Sequence, residues 1–176
     1  MRIDLHVHSD YSDGSDSLES ILHQAHNEGI DVLSFVDHDT VSTYPKAKDI
    51  AEAIGIQLVK GIEISAFDFK RQRNVHVLGY QYQRTDAIRA LTGPILERRH
   101  ALSCAQIAIL KEYGFMIDEA TIKRSGDGII YRQHMLSRIF LTLHTIIRAF
   151  TSGFSKRTAL SVRRLSLWMR LMQSGR

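Results

Sequence analysis

Apolar and polar positions alternate strictly at the start of the chain. Ile3, Leu5 and Val7 fall on one side of a predicted strand, and Asp4, His6 and His8 fall on the other. Asp16-Ser17-Leu18-Glu19 reads as a capping box, after which Leu18, Ile21, Leu22 and Ala25 keep helical spacing up to a stop at Gly29. The order then repeats. Residues 31–36 form a second, apolar strand, and a helix carrying Ala47, Ile50, Ala51 and Ile54 begins near Pro45 and stops at Gly55. Residues 57–64 and 75–82 read as third and fourth strands joined by a polar, basic stretch. Strands separated by single helices predict parallel pairing with right-handed crossovers, as in an α/β barrel or a doubly wound sheet.

From Asp86 onward the periodicity becomes helical. Ile88, Leu91, Ile95 and Leu96 lead into Leu102, Ala105, Ile109 and Leu110, with a break expected at Gly93-Pro94 and an end at Gly114. Asp127-Gly128 marks a turn before the segment 129–134. No repeat of fixed period and no low-complexity segment interrupts this order. The pattern divides the chain into an α/β part over 1–85, a helical insertion over 86–136, and a tail over 137–176.

Charge sharpens the last boundary. The 176 residues carry a net charge of +4, yet the first 136 hold all nineteen acids and fifteen of the bases, while residues 137–176 hold eight bases and no acid. The basic character belongs to the tail, for which three readings stand. It is an amphipathic basic helix with Leu165, Trp168, Met169 and Met172 at near-helical spacing, a stretch translated out of frame that packs poorly and leaves a sheet edge open, or an ordinary divergent helical terminus. With 44% apolar and 24% charged residues the composition is that of a globular domain. The polar N-terminus does not read as a secretory signal, no apolar run is long enough to span a membrane, and the single Cys104 excludes a disulfide framework or a cysteine-rich zinc site. A cytoplasmic location is expected.

Residues suited to metal binding gather at the predicted strand ends. His6 and His8 close the first strand, with Asp13 in the loop beyond it. Asp37-His38-Asp39 closes the second, Glu63 closes the third, and His76 lies on the fourth. Loops from several parallel strands converge at their carboxyl ends, where so many imidazoles and carboxylates need cations to compensate them. Mixed nitrogen and oxygen ligands suit Mn, Zn or Fe(II). A carboxylate such as Glu63 can bridge two ions that share a hydroxide, an arrangement suited to phosphate ester hydrolysis with an arginine or histidine opposite the leaving oxygen. Asp4, Asp37 and Asp39 are expected to orient ligands, and His23, His26, His100 and His144 to be ordinary surface or core residues. Lys70, Arg71 and Arg73 read as a solvated loop, and the scattered aromatic residues show no stacking platform.

Asp4-Leu5-His6-Val7-His8-Ser9 with Ser12-Asp13-Gly14, then Val36-Asp37-His38-Asp39-Thr40, Gly61-Ile62-Glu63-Ile64-Ser65 and Val75-His76-Val77-Leu78-Gly79-Tyr80 together resemble the polymerase and histidinol phosphatase (PHP) family. Arg132-Gln133-His134 resembles the Arg-x-His motif after the family's helical insertion. The resemblance implies a distorted (β/α)7, TIM-like barrel, here incomplete. It implies two or three divalent ions held by His6, His8, Asp13, His38, Glu63 and His76, with Glu63 and His134 catalytic. Arg132 and Arg99 are the expected substrate-binding residues. The implied substrate is a small phosphorylated compound, a nucleotide or an oligonucleotide end, with no obligate protein partner. The family's late Asp-x-His pair does not occur after His76. A truncated, impaired product and a non-catalytic PHP domain with a structural role therefore stand beside the enzyme reading.

Overall fold

The computed structural model describes residues 1–139. Its elements run β1 (Ile3–Val7), α1 (Leu18–Asn27), β2 (Val32–Phe35), α2 (Thr43–Ala53), β3 (Gln57–Leu58), β4 (Gly61–Asp68), β5 (Arg73–Tyr80) and α3 (Thr85–Glu112), followed by a 3-10 turn at Glu119–Thr121 and a helical stretch over 132–139. The expectations for residues 140–176, His144 among them, lie outside the described residues.

Two strand-helix units build a parallel sheet in the order β1-β2-β3, as the alternation predicted. All four residues of β2 are buried, and Leu33 and Phe35 pack with Leu18 and Leu22 of α1 and Ala47 and Ala51 of α2. Both helices end near a glycine in the left-handed region, Gly29 at φ 71° and Gly55 at φ 79°, which an L side chain resists. At the start of α1 the cap is Ser17, whose hydroxyl accepts from the Ser20 amide; the expected box begins one residue too early. On β1 the expected apolar face stays wet. Ile3 is 50% and Leu5 38% exposed, because β1 has a neighbour on one side only among the described residues.

The third and fourth strands depart from the parallel expectation in an informative way. The 25-residue offset that pairs Val32 with Gln57 and Leu33 with Leu58 also pairs His38 with Glu63, so the parallel run continues past β3 to Glu63. Beyond Glu63 the chain leaves the sheet. Residues of β4 and β5 pair antiparallel in unbroken register from Gly61 with Tyr80 to Asp68 with Arg73, a long hairpin closed by a short turn. Such a turn is too short for the crossover that a parallel neighbour requires.

α3 is one helix of 28 residues with Pro94 inside it; the expected break at Gly93-Pro94 is absent. A proline removes one backbone donor and crowds the carbonyl four residues back, and packing on both sides of that point holds the helix together. Ile107 and Leu110 of α3 form a second core with Ile122, Ile130, Met135 and Ile139. The turn at Asp127-Gly128 is present, with Gly128 at φ 80°. Residues 132–139 are helical without interruption at 136, and Ile139 is buried in that core.

Candidate metal centre

Glu63 is the hub of the site. Its carboxylate is buried, with Oε2 2.9 Å from His8 Nε2, 3.3 Å from His6 Nε2 and 3.8 Å from His38 Nε2, and with Oε1 2.7 Å from His76 Nδ1. Asp13 approaches from the loop after β1, 3.4 Å from His8 Nδ1 and 3.8 Å from His38 Nε2. The four imidazoles form a chain, His6 to His8 to His38 to His76, with ring centroids 5.2, 4.7 and 4.8 Å apart. His76 reaches the cluster from the middle of an antiparallel strand, opposite Ser65, and not from the end of a parallel one.

Donor atoms of these residues fall into three overlapping groups, His6 with His8 and Glu63, His8 with Asp13 and His38, and His38 with Glu63 and His76, each within 4.8 Å. Ligands bonded to one ion at about 2.0–2.2 Å stand within such a span of one another. The donor chemistry fits divalent cations: burial is the main cause that holds the His38 pKa below its ordinary 6.5, although Asp13 and Glu63 pull it upward, so the ring favours its neutral, ligating form. Its Nδ1 is buried without a hydrogen-bond partner.

The surrounding groups that hold these candidate ligands are mostly aspartates. Asp37 is fully buried and accepts from the Ser9 amide at 2.7 Å and from the hydroxyls of Ser9, Ser12 and Thr43 at 2.7, 2.6 and 2.7 Å, which ties the Asp13 loop to the ends of β2 and α2. Gly14 completes that loop, because a Cβ there would stand 2.6 Å from the His8 carbonyl oxygen. Asp39, with φ at 61°, accepts from the Ser65 amide at 2.7 Å while its own amide donates to the Glu63 carbonyl at 2.9 Å, so it clamps the segment bearing His38 to the strand bearing Glu63. Asp4 accepts from the His6 amide.

The helical insertion closes on this clamp. Arg99 donates to Asp39 Oδ2 and Ser65 Oγ, both at 2.8 Å, and its guanidinium lies 5.0 Å from the centre of the Tyr131 ring. Tyr131, itself fully buried, donates from its hydroxyl to the His38 carbonyl at 2.8 Å, and burial pushes its pKa up. Sequence reasoning missed Tyr131, since an isolated tyrosine carries no spacing signal. Arg99 is committed to Asp39 as well as lining a cavity of about 450 Å³ beside His76. Arg98, Arg132, Ser65, Asn74 and Gln106 also line that cavity.

His134 stands apart from the three donor groups. Its Nε2 lies 3.3 Å from the Gly14 carbonyl oxygen, its Nδ1 is buried without a partner, and burial lowers its pKa. Its neighbour Gln133 donates to Asp13 Oδ2 at 3.2 Å. His100 takes the structural role expected of it, accepting from the Ile130 amide at 3.1 Å.

The PHP domain model matches residues 4–149. The chain belongs to the PHP family. This PHP chain is 42% identical over 139 residues to a phosphoribosyl 1,2-cyclic phosphate 1,2-diphosphodiesterase of Eggerthella lenta, an alignment that covers 77% of the chain and 53% of that protein. It is 37% identical over 127 residues to a 5'-3' exoribonuclease of Haemophilus influenzae, covering 72% of the chain and 43% of the relative. Among solved structures, an amidohydrolase from Chromobacterium violaceum with bound sulfate superposes with a TM-score of 0.70 at 26% identity, covering 84% of this chain and 54% of that one. The chain thus spans about half the length of the relatives it matches. The family match also runs thirteen residues past 136, where the acids vanish. Among the described residues no helix is long and apolar enough to cross a membrane.

Proposed function

We propose that this PHP domain hydrolyses phosphate esters at a centre of two or three divalent ions, Mn, Zn or Fe(II). His6, His8, Asp13, His38, Glu63 and His76 would hold the ions. The observation that carries this reading is one shared buried carboxylate: Glu63 belongs to two of the three donor groups, with Oε2 facing His6, His8 and His38 and Oε1 facing His76, so its two oxygens would serve adjacent ions. When bound, the ions supply an activated water and neutralise phosphoryl charge.

The protein's own part is positional. Glu63, walled by four imidazoles, keeps the ligand set together, and Asp37 and Asp39 fix the two loops that carry Asp13 and His38. The cavity beside His76 admits the ester. Arg132 and Arg98 line it and would bind the phosphate, while Arg99, paired with Asp39, shapes its wall. His134, which meets the loop bearing Asp13 through the Gly14 carbonyl, would take the catalytic role expected of it. Small phosphorylated compounds, nucleotides and oligonucleotide ends all present the required group, and the cyclic diphosphodiesterase and the exoribonuclease among the relatives are both phosphodiester hydrolases by name.

Glu63→Gln keeps the shape and removes the bridging charge. The purified variant is expected to bind at least one metal equivalent fewer and to lose turnover of p-nitrophenyl phosphate or its bis ester under Mn2+ by 10²-fold or more. Unchanged metal content and rate would overturn the assignment, and metal without turnover in the parent chain would favour the impaired or structural reading.

A further inference from the structure

We infer that Tyr131 is a positioning residue that aims His38 at the ions through the main chain. The inference rests on the metal-centre reading and concerns how one of its proposed ligands is held. A metal-bound imidazole is usually steered from behind, by a carbonyl or carboxylate that accepts from its other ring nitrogen. His38 has no such support among the described residues. Its Nε2 faces Asp13 and Glu63, while its Nδ1 is buried with no hydrogen-bond partner. The direction of the ring therefore depends on the backbone that carries it.

That backbone is held in an uncommon setting. The peptide plane between His38 and Asp39 is fixed by ψ of the first and φ of the second, and Asp39 lies at φ 61°, in the left-handed region. Aspartate visits this region more readily than most residues, yet a return to negative φ would relieve the local strain. Such a rotation would carry the His38 carbonyl round and swing the imidazole with it. The Tyr131 hydroxyl opposes the rotation. It donates to the His38 carbonyl at 2.8 Å, from a fully buried side chain 93 residues further along the chain. Breaking that bond would strand a buried hydroxyl, so the carbonyl is held where it stands. Two other contacts secure the same dipeptide: the Asp39 amide donates to the Glu63 carbonyl at 2.9 Å, and Arg99 donates to the Asp39 carboxylate at 2.8 Å. The Arg99 guanidinium also lies 5.0 Å from the centre of the Tyr131 ring, which joins the tyrosine to the clamp. The helical insertion thus presses on the His38 segment at two adjoining points.

The donor groups give this role a signature that general loss of stability does not share. His38 belongs to two of the three groups, whereas His6, His8 and Glu63 make up the third without it. Titration of the 176-residue chain with Mn2+ by calorimetry, and with Co2+ by its visible absorption, tests the inference on Tyr131→Phe, which keeps the ring and loses only the hydroxyl. The variant is expected to bind the ions that use His38 about 10–100-fold more weakly and to hold the remaining ion as tightly as the parent does. The Co2+ bands should change for the weakened ions alone. Ile54→Ala, which thins the core under α1 and α2, lowers stability without touching His38 and should leave every affinity at the parent value. Parent-like affinities throughout in Tyr131→Phe overturn the inference, as does equal weakening of every ion, or the same selective pattern in Ile54→Ala. Should Tyr131→Phe not fold, Arg99→Lys loosens the same dipeptide from its Asp39 side and must weaken the same ions, parent-like affinities again overturning the inference. A parent chain that binds no divalent ion overturns the metal-centre reading as well, so the two failures are told apart.

Discussion

Asp37 has no exposed surface, and each of its carboxylate oxygens accepts two hydrogen bonds, from a backbone amide and two hydroxyls in the loop after β1 and from the Thr43 hydroxyl at the start of α2. A group of that kind is worth more than its neighbours in the motif suggest, because removing it strands four buried donors at once. Asp37→Ala is expected to cost about 3 kcal/mol or more, read as a lower midpoint in urea denaturation, and to free the Asp13 loop. The adjacent Asp39 works through geometry. Its positive φ turns the chain so that one carboxylate can reach both the Ser65 amide and the Arg99 guanidinium. These two aspartates were legible as helpers of the ligands, while the identity of their partners was not, since Ser65 lies 26 residues away and Arg99 lies 60.

The passage from parallel sheet to hairpin depends on Gly61. A Cβ at that position would stand 2.6 Å from the Phe35 carbonyl oxygen and 2.8 Å from Val36 Cγ1, so β4 approaches the end of β2 only because the side chain is missing. That approach sets His38 opposite Glu63. Gly61→Ala is expected to destabilise the fold by about 1–3 kcal/mol and to lower metal content at a given free Mn2+, measured by urea denaturation alongside metal analysis. Unaltered metal affinity would show that the two elements reach their places without this contact. α3 contributes on the same scale, since it carries Arg99 across to Asp39 while its distal half packs on Tyr131's neighbours Ile130 and Met135.

Across the described residues, the six proposed ligands come from β1, the loop after it, the segment that follows β2, β4 and β5. Ions bound there join segments 70 residues apart, from His6 to His76, and bind the folded chain in preference to the unfolded one. Free Mn2+ at a hundred times its dissociation constant should therefore raise the unfolding temperature on the order of 5–10 °C. A chelator should reverse the shift. A scan that does not move with metal would remove the centre from the protein's stability and weaken its assignment.

Local chemistry decided what the sequence could determine alone. Alternation at β1, the amphipathic spacing of α1 and α2 and the glycines that end them are properties of a few adjacent residues, and so is the grouping of His6, His8, His38 and Glu63 near strand ends. Tertiary structure decided the rest because it depends on distant partners. Periodicity of two is the same for parallel and antiparallel strands, so nothing in residues 75–80 announced a hairpin. Gly93-Pro94 is a breaking signal that packing along α3 overrides, and the apolar face of β1 stays wet although the pattern of Ile3, Leu5 and Val7 reads as a buried one. Arg99 and Tyr131 carry no spacing signal of their own; their contacts follow only from the elements that the folded chain sets beside them.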